Sequence, residues 1–200
     1  MGRIIVCRHG NTFDKGDVVT RVGGRTDLPL STSGEAQAAA LAEHFAGTRF
    51  TAAYCSSLQR THATAEAILG ACPDAPALEV LPFLTEIDYG PDENVPEDEV
   101  VARIGEEALR AWEEDSVPPD GWIVDKAAIH AGWRALLVDA AELAGDEILL
   151  VVTSNGIARF LPDVVDEMPE GLQPKLKTGA WGEVLCDARG SRITDWNRRP

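Results

Sequence analysis

Two short stretches constrain the fold of this chain more than any other feature: "RIIVCR" at 3–8 and "EILLVVT" at 147–153. Each holds a continuous apolar run rather than alternating apolar with polar residues. A strand of that kind has no face to give to water, so it belongs in a sheet covered on both sides. Amphipathic segments separate such runs. Residues 31–47 repeat Ala38, Leu41, Ala42 and Phe45 at helical spacing, which places one stripe against a core. Thr32 with Glu35 fits a capping box, Ser31 is a rival cap, and Gly47 is a natural stop.

The pattern continues along the chain. A strand is expected at 50–56, a helix at 57–71 capped by Ser56 or Ser57, and a weaker strand at 77–84. Residues 86–125 are acidic, with fourteen carboxylates against Arg103 and Arg110. One helical face, Val101, Ile104, Ala108 and Trp112, runs through them. Residues 125–145 form a strong helix with Ile129, Trp133, Leu136, Leu137, Ala140 and Leu143 on one side. Residues 182–188 and 191–196, joined through Arg189 and Gly190, suggest a terminal hairpin or edge strand. Alternating strands and helices predict an α/β, three-layer α/β/α sandwich with a mostly parallel sheet and an antiparallel edge strand. The 200 residues suffice for a single domain over 1–200, with a helical acidic insertion at about 86–125.

Composition narrows the partners. The net charge of −15 argues against nucleic acid. No apolar run reaches the roughly 18 residues of a membrane span. The N-terminal apolar stretch is too short for a signal peptide, so the expected location is cytoplasmic. The charge is uneven: residues 1–60 carry net +2 and residues 61–200 net −17. An anionic ligand would therefore need a local cationic pocket, and the first 60 residues can supply it. Cys7, Cys55, Cys72 and Cys186 lack metal-ligand spacing, so no metal site is expected. They read as buried reduced thiols, with Cys7 beside Arg8 as the one open to a redox role. The tract 91–99 reads as a solvated loop or a cation site.

In a covered parallel sheet, ligands sit at the carboxyl ends of the strands. There the first strand ends in "RHGNT", the second runs into "SSLQRT", the third leads to "LTEIDYG", and 147–153 ends in "TSNG". These four junctions can share one crevice. A neutral imidazole (His9) can attack phosphorus. Two guanidiniums (Arg8 and Arg60) offer planar forks of donors to phosphoryl oxygens. A carboxyl group (Glu86, or Asp88 as alternative) can protonate a departing oxygen if its pKa is raised.

"RHGNT" after a strand resembles the signature of the histidine phosphatase superfamily, which includes the cofactor-dependent phosphoglycerate mutases. "GGRTDLPLSTSGEAQA" (23–38), "CSSLQRTHATAEAI" (55–68), "LTEIDYG" (84–90) and "LLVVTSNGIAR" (149–159) are similar to further stretches of that family, in the same order. The resemblance covers most of 1–90 and 147–160 and is weak elsewhere. It implies a phosphoglycerate mutase-like fold and a phosphatase acting on a small phosphorylated metabolite. His9 would become phosphorylated, Arg8 and Arg60 would bind the phosphoryl group, Glu86 would be the proton donor, and Asn11 would lie at the pocket floor or rim. It implies neither metal nor organic cofactor.

One position departs from the pattern. Ser154 stands where the family has a second histidine, and Asn155 where it has glycine. A missing donor to developing charge costs roughly 10²–10³ in rate, which an amide or hydroxyl donor at 154–155 can partly recover. Three readings follow: a phosphatase, a phosphomutase, or a catalytically impaired phospho-ligand binding module. Either residue could also cap a helix. Arg21 and Arg25 are candidate rim cations. His62 and His130 are weaker candidates for ligand contact, and Trp181, near Lys175 and Lys177, for the pocket mouth.

Overall fold

The computed structural model describes residues 2–200. Six strands form one sheet: β1 (Gly2–Arg8), β2 (Ala52–Cys55), β3 (Leu78–Val80), β4 (Ile148–Thr153), β5 (Trp181–Asp187) and β6 (Gly190–Arg198). Their spatial order is β3-β2-β4-β1-β5-β6. The pairs β1–β4, β2–β4 and β2–β3 are parallel, whereas β5 runs antiparallel to both β1 and β6. The two continuous apolar runs are thus the central neighbours β1 and β4, the place where both faces must be buried.

Helices α1 (Thr32–His44), α2 (Gln59–Gly70), α3 (Glu97–Ile104), α4 (Glu106–Asp115), α5 (Lys126–Glu142) and the single-turn α6 (Asn155–Ala158) complete the chain. The two faces of the sheet carry separate cores. Ile5, Cys7, Leu150, Val152, Ala53 and Cys55 pack under α1 and α2, with Leu41, Phe45, Ala65 and Ile68. Ile4, Val6, Leu149 and Val151 pack under α5, with Ile129, Trp133, Leu136 and Ala140. The ladder pairs Ile4 with Leu149 and Ile5 with Leu150, so consecutive residues alternate sides, as the period of two requires. Burying each such side chain stabilises by roughly 1.5–3 kcal/mol.

Local chemistry moves several expected boundaries. Ser31 is the cap of α1, accepting from the Gly34 amide, and no Thr32–Glu35 box forms. Asp14 accepts from the Thr32 and Ser33 amides as well. Helix α2 starts later than expected because Ser56 turns the chain, accepting from the Leu58 amide. The Gln59 amide is satisfied from another loop, by Asp27. The third strand ends at Val80, and Pro82 opens a 3-10 turn over Pro82–Leu84. The single helix expected in the acidic region is two, because Gly105 at φ 84° takes a conformation disfavoured for side-chain-bearing residues. All four cysteines are free. Burial pushes the Cys7 thiol up, which opposes the thiolate that a redox role needs. Among the described residues, no helix is long and apolar enough to cross a membrane, and no group of three or more His, Cys, Asp or Glu could hold a metal.

Candidate active site

The carboxyl ends of β1 and β4 open on a cavity of about 380 Å³. Arg8, His9, Asn11, Glu86 and Asn155 line its inner end, and Phe13, Val19, Arg21, Tyr89, Trp112 and Lys175 stand among its outer walls.

His9 follows β1 directly, and its amide donates to the Thr153 carbonyl of β4. Its Nδ1 lies 2.7 Å from the Gly10 carbonyl, and Arg60 Nε donates to its Nε2 at 3.2 Å. A carbonyl can only accept, so Nδ1 carries the proton, and Nε2 keeps its lone pair. Burial, then Arg60 and Arg8, hold the His9 pKa well below its ordinary value. The imidazole is therefore neutral at physiological pH, the nucleophilic form.

The loop carrying His9 is fixed by close backbone approach. A Cβ on Gly10 would meet the Gly34 carbonyl oxygen at 2.3 Å, and one on Gly34 would meet that of Asn11 at 2.0 Å. Asn11 is tied to α1 through Gln37 Oε1 and Ser33 Oγ. Arg60 sits wholly buried in the first turn of α2, where a cation is disfavoured by the helix dipole. Besides His9, it donates to the carbonyls of Thr26 at 2.8 Å and Gly23 at 3.2 Å. It thus stands behind the cavity wall and reaches the cavity through His9. Arg8 Nη1 donates to the Leu176 carbonyl at 2.9 Å, while its Nε is buried without a partner. An orphaned donor on a guanidinium is costly unless a ligand oxygen meets it.

Glu86 is buried and accepts from the amides of Ile87 at 2.9 Å and Gly156 at 3.2 Å. Burial outweighs these bonds and the nearby Arg60 and Arg8, raising its pKa above the ordinary carboxyl value. Thr153 Oγ1 holds the preceding segment by donating to the Leu84 carbonyl at 2.7 Å. Asp88, the alternative acid, is engaged by Arg25 and the Gly90 amide.

The junction at 154–155 divides its two side chains. Ser154 occupies the cap position of α6 but makes no capping bond. It is fully buried, does not line the cavity, and its Oγ has no partner. Asn155 does line the cavity. Its Oδ1 accepts from the Leu176 amide at 2.9 Å, which leaves the Nδ2 end of the amide available. Of the rim cations, Arg21 lines the cavity, paired with Glu97. Arg25 does not, being held by Asp88 and the Gly90 carbonyl.

His62 is not among the lining residues. His130 pairs with Asp163 and packs on Phe160, and Trp181 packs against Phe45 and His44; both are away from the cavity. Lys175 is at the wall, paired with Glu113. The tract 91–99 is consumed by structure. Asp92 binds Arg103 and Trp122 Nε1, while Glu93 accepts from Thr26 Oγ1 and from the Gly23 and Tyr89 amides.

Sequence reasoning missed Tyr89, Glu97, Glu113 and the wall role of Trp112. Tyr89 lies three residues from Glu86 in the same quoted stretch, which was a usable signal. The others arrive from α3 and α4 with no local mark. Arg159, at the end of "TSNGIAR", is fully buried with its guanidinium 4.2 Å from the Trp112 ring centroid. It donates to Ser116 Oγ and to the carbonyls of Trp112 and Glu113, closing the end of α4.

A mostly parallel α/β sheet with antiparallel β5, and an Arg-His pair at the end of a central strand, define a phosphoglycerate mutase-like α/β architecture. The chain belongs to the histidine phosphatase superfamily (branch 1), whose family pattern it matches over residues 4–199. It is 30% identical over 179 residues to 2,3-bisphosphoglycerate-dependent phosphoglycerate mutase 2 of Gloeobacter violaceus, covering 86% of this chain and 80% of the relative. It is 34% identical over 122 residues to fructose-2,6-bisphosphatase TIGAR B of Danio rerio, covering 59% and 46% respectively. The mycobacterial glucosyl-3-phosphoglycerate phosphatase superposes with a TM-score of 0.77 at 22% identity over 98% of both chains. These relatives include phosphatases and phosphomutases.

Proposed function

We propose that the protein is a phosphatase that hydrolyses a small phosphomonoester through a phosphohistidine at His9. The observation that carries this reading is a neutral His9 whose Nε2 lone pair is held by Arg60, in one cavity with a Glu86 whose pKa is raised. The substrate phosphoryl oxygens engage the Arg8 guanidinium and the Nδ2 of Asn155. As phosphorus approaches, Nε2 exchanges the Arg60 hydrogen bond for the N–P bond, and the Arg60 donor passes to a phosphoryl oxygen. The P–O bond to the alcohol breaks, and Glu86 gives its proton to the departing oxygen. Water then attacks phosphorus, the N–P bond breaks, and the Glu86 carboxylate takes the proton from that water.

Ser154 stands where the resemblance places a second histidine, and its buried hydroxyl supplies no cation. In this reading Asn155 takes over part of that duty. A phosphomutase reading is favoured by the name of the Gloeobacter relative. Hydrolysis ranks above it because Arg103, one of the two basic residues of 86–125, is committed to Asp92. A third reading, a phospho-ligand binder without turnover, is motivated by Ser154.

Incubation with p-nitrophenyl phosphate separates the three. The phosphatase reading expects inorganic phosphate and an acid-labile phosphate on His9, both lost in His9→Ala. Transfer to phosphoglycerate without phosphate release would favour the mutase. No turnover and no phosphohistidine, with inorganic phosphate still raising the melting temperature, would leave a binder.

A further inference from the structure

We infer that the alcohol portion of the substrate is uncharged and presents an apolar face, unlike a phosphoglycerate, a bisphosphate or an amino-alcohol phosphate. The inference rests on the phosphatase reading for the inner end of the cavity and concerns only the outer end. Among the described residues, three Lys or Arg side chains line the cavity, and only Arg8, at the phosphoryl end, has no carboxylate partner. Arg21 is paired with Glu97, and its guanidinium lies 5.3 Å from the Tyr89 ring centroid and 5.0 Å from that of Trp122. Lys175 is paired with Glu113.

The outer end therefore carries matched charges that already satisfy one another. A substrate carboxylate would have to displace Glu97 or Glu113 from its cation, exchanging one ion pair for another while leaving a like charge beside it. An ammonium group would have to separate the same pairs from the other side. The protein's net charge of −15 adds repulsion against a second anion. A neutral group meets none of these costs. It meets instead Phe13, Val22 and the half-exposed Val19 among the lining residues. Side chains of this kind recognise apolar or ring-bearing groups.

The test compares three unactivated esters with wild-type protein: benzyl phosphate, 3-phosphoglycerate and phosphoethanolamine. The expected result is a kcat/KM for benzyl phosphate at least about tenfold above the other two. Binding is measured in parallel by calorimetry with benzylphosphonate and phosphonoacetate, which cannot turn over, and the first is expected to bind tighter. Glu113→Gln, which frees Lys175, should raise the ratio of 3-phosphoglycerate to benzyl phosphate kcat/KM several-fold. Equal or better use of 3-phosphoglycerate, or tighter binding of phosphonoacetate, overturns the inference and leaves the phosphatase reading intact. If no ester is hydrolysed and no phosphohistidine forms, the phosphatase reading fails. Tighter benzylphosphonate binding would still establish the neutral outer site.

Discussion

Gly156→Ala tests the proposed acid without touching it. A Cβ at Gly156 would meet Glu86 Oε1 at 2.1 Å, Cδ at 3.0 Å and Ile87 Cγ1 at 3.2 Å. Gly156 is helical, so the substitution brings no backbone strain, and helix propensity favours Ala by about 1 kcal/mol. The clash must therefore be relieved by the carboxyl group. Moving Oε1 to an ordinary contact distance displaces it by about 1 Å, and a misplacement of that size costs about 10²-fold in rate. The loss should fall unequally. p-Nitrophenol departs as a stabilised phenolate and needs little proton donation, whereas an alkyl alcohol departs only when protonated. We expect kcat/KM, which reports the phosphorylation step alone, to fall about 10²-fold for benzyl phosphate and less than tenfold for p-nitrophenyl phosphate. The phosphohistidine burst with the nitrophenyl ester should survive, and overpacking should lower stability by about 1–3 kcal/mol. Steady-state kinetics on both esters, with a melting curve, decide the matter. Equal losses in kcat/KM on the two esters would refute Glu86 as the leaving-group acid, and wild-type kinetics on both would refute the geometry.

Further expectations concern the same groups. His9 must be neutral and Glu86 protonated, so kcat/KM should rise with pH through the His9 pKa, held below 6.5. It should fall through the Glu86 pKa, raised above 4.5, and Glu86→Gln should remove the alkaline limb of the pH–rate profile. Arg60→Gln takes away a cation that depresses His9, so the acid limb should move to higher pH, with a loss of roughly 10²–10³ in kcat/KM; an unmoved limb would disprove the coupling. Arg159→Met strips three acceptors at the end of α4 of their donor. Thermal melting should show a loss of about 1–3 kcal/mol, and an unchanged melting temperature would contradict the clamp.

The legible part of this protein was the part written locally. β1 and β4 announced themselves because strands buried on both faces carry an unbroken apolar run. The grouping of Arg8, His9, Asn11, Glu86 and Asn155 followed because each lies within a few residues of a strand's carboxyl end. What escaped the sequence was set by distant partners. Asp14 and Asp27 complete the starts of α1 and α2 from other loops, and no spacing rule encodes such pairings. Ser154 has the composition and the extended backbone of a cap, yet its hydroxyl is buried and makes no capping bond. Glu97, Glu113 and Lys175 were three charges among many until α3 and α4 folded over the cavity.

The alternation of β1 and β4 between two cores bears on how such a protein changes over generations. Arg60 and the Gly10–Gly34 contact belong with α1 and α2, whereas Trp112, Tyr89 and Arg159 belong with the opposite layer. The sheet and the 23–26 loop join them, the loop bonding both to Arg60 and to Glu93. Drift in the layer holding Trp112 can therefore alter what is admitted, while the layer holding Arg60 keeps the nucleophile as it was. A lineage built this way can try new substrates without first giving up its nucleophile.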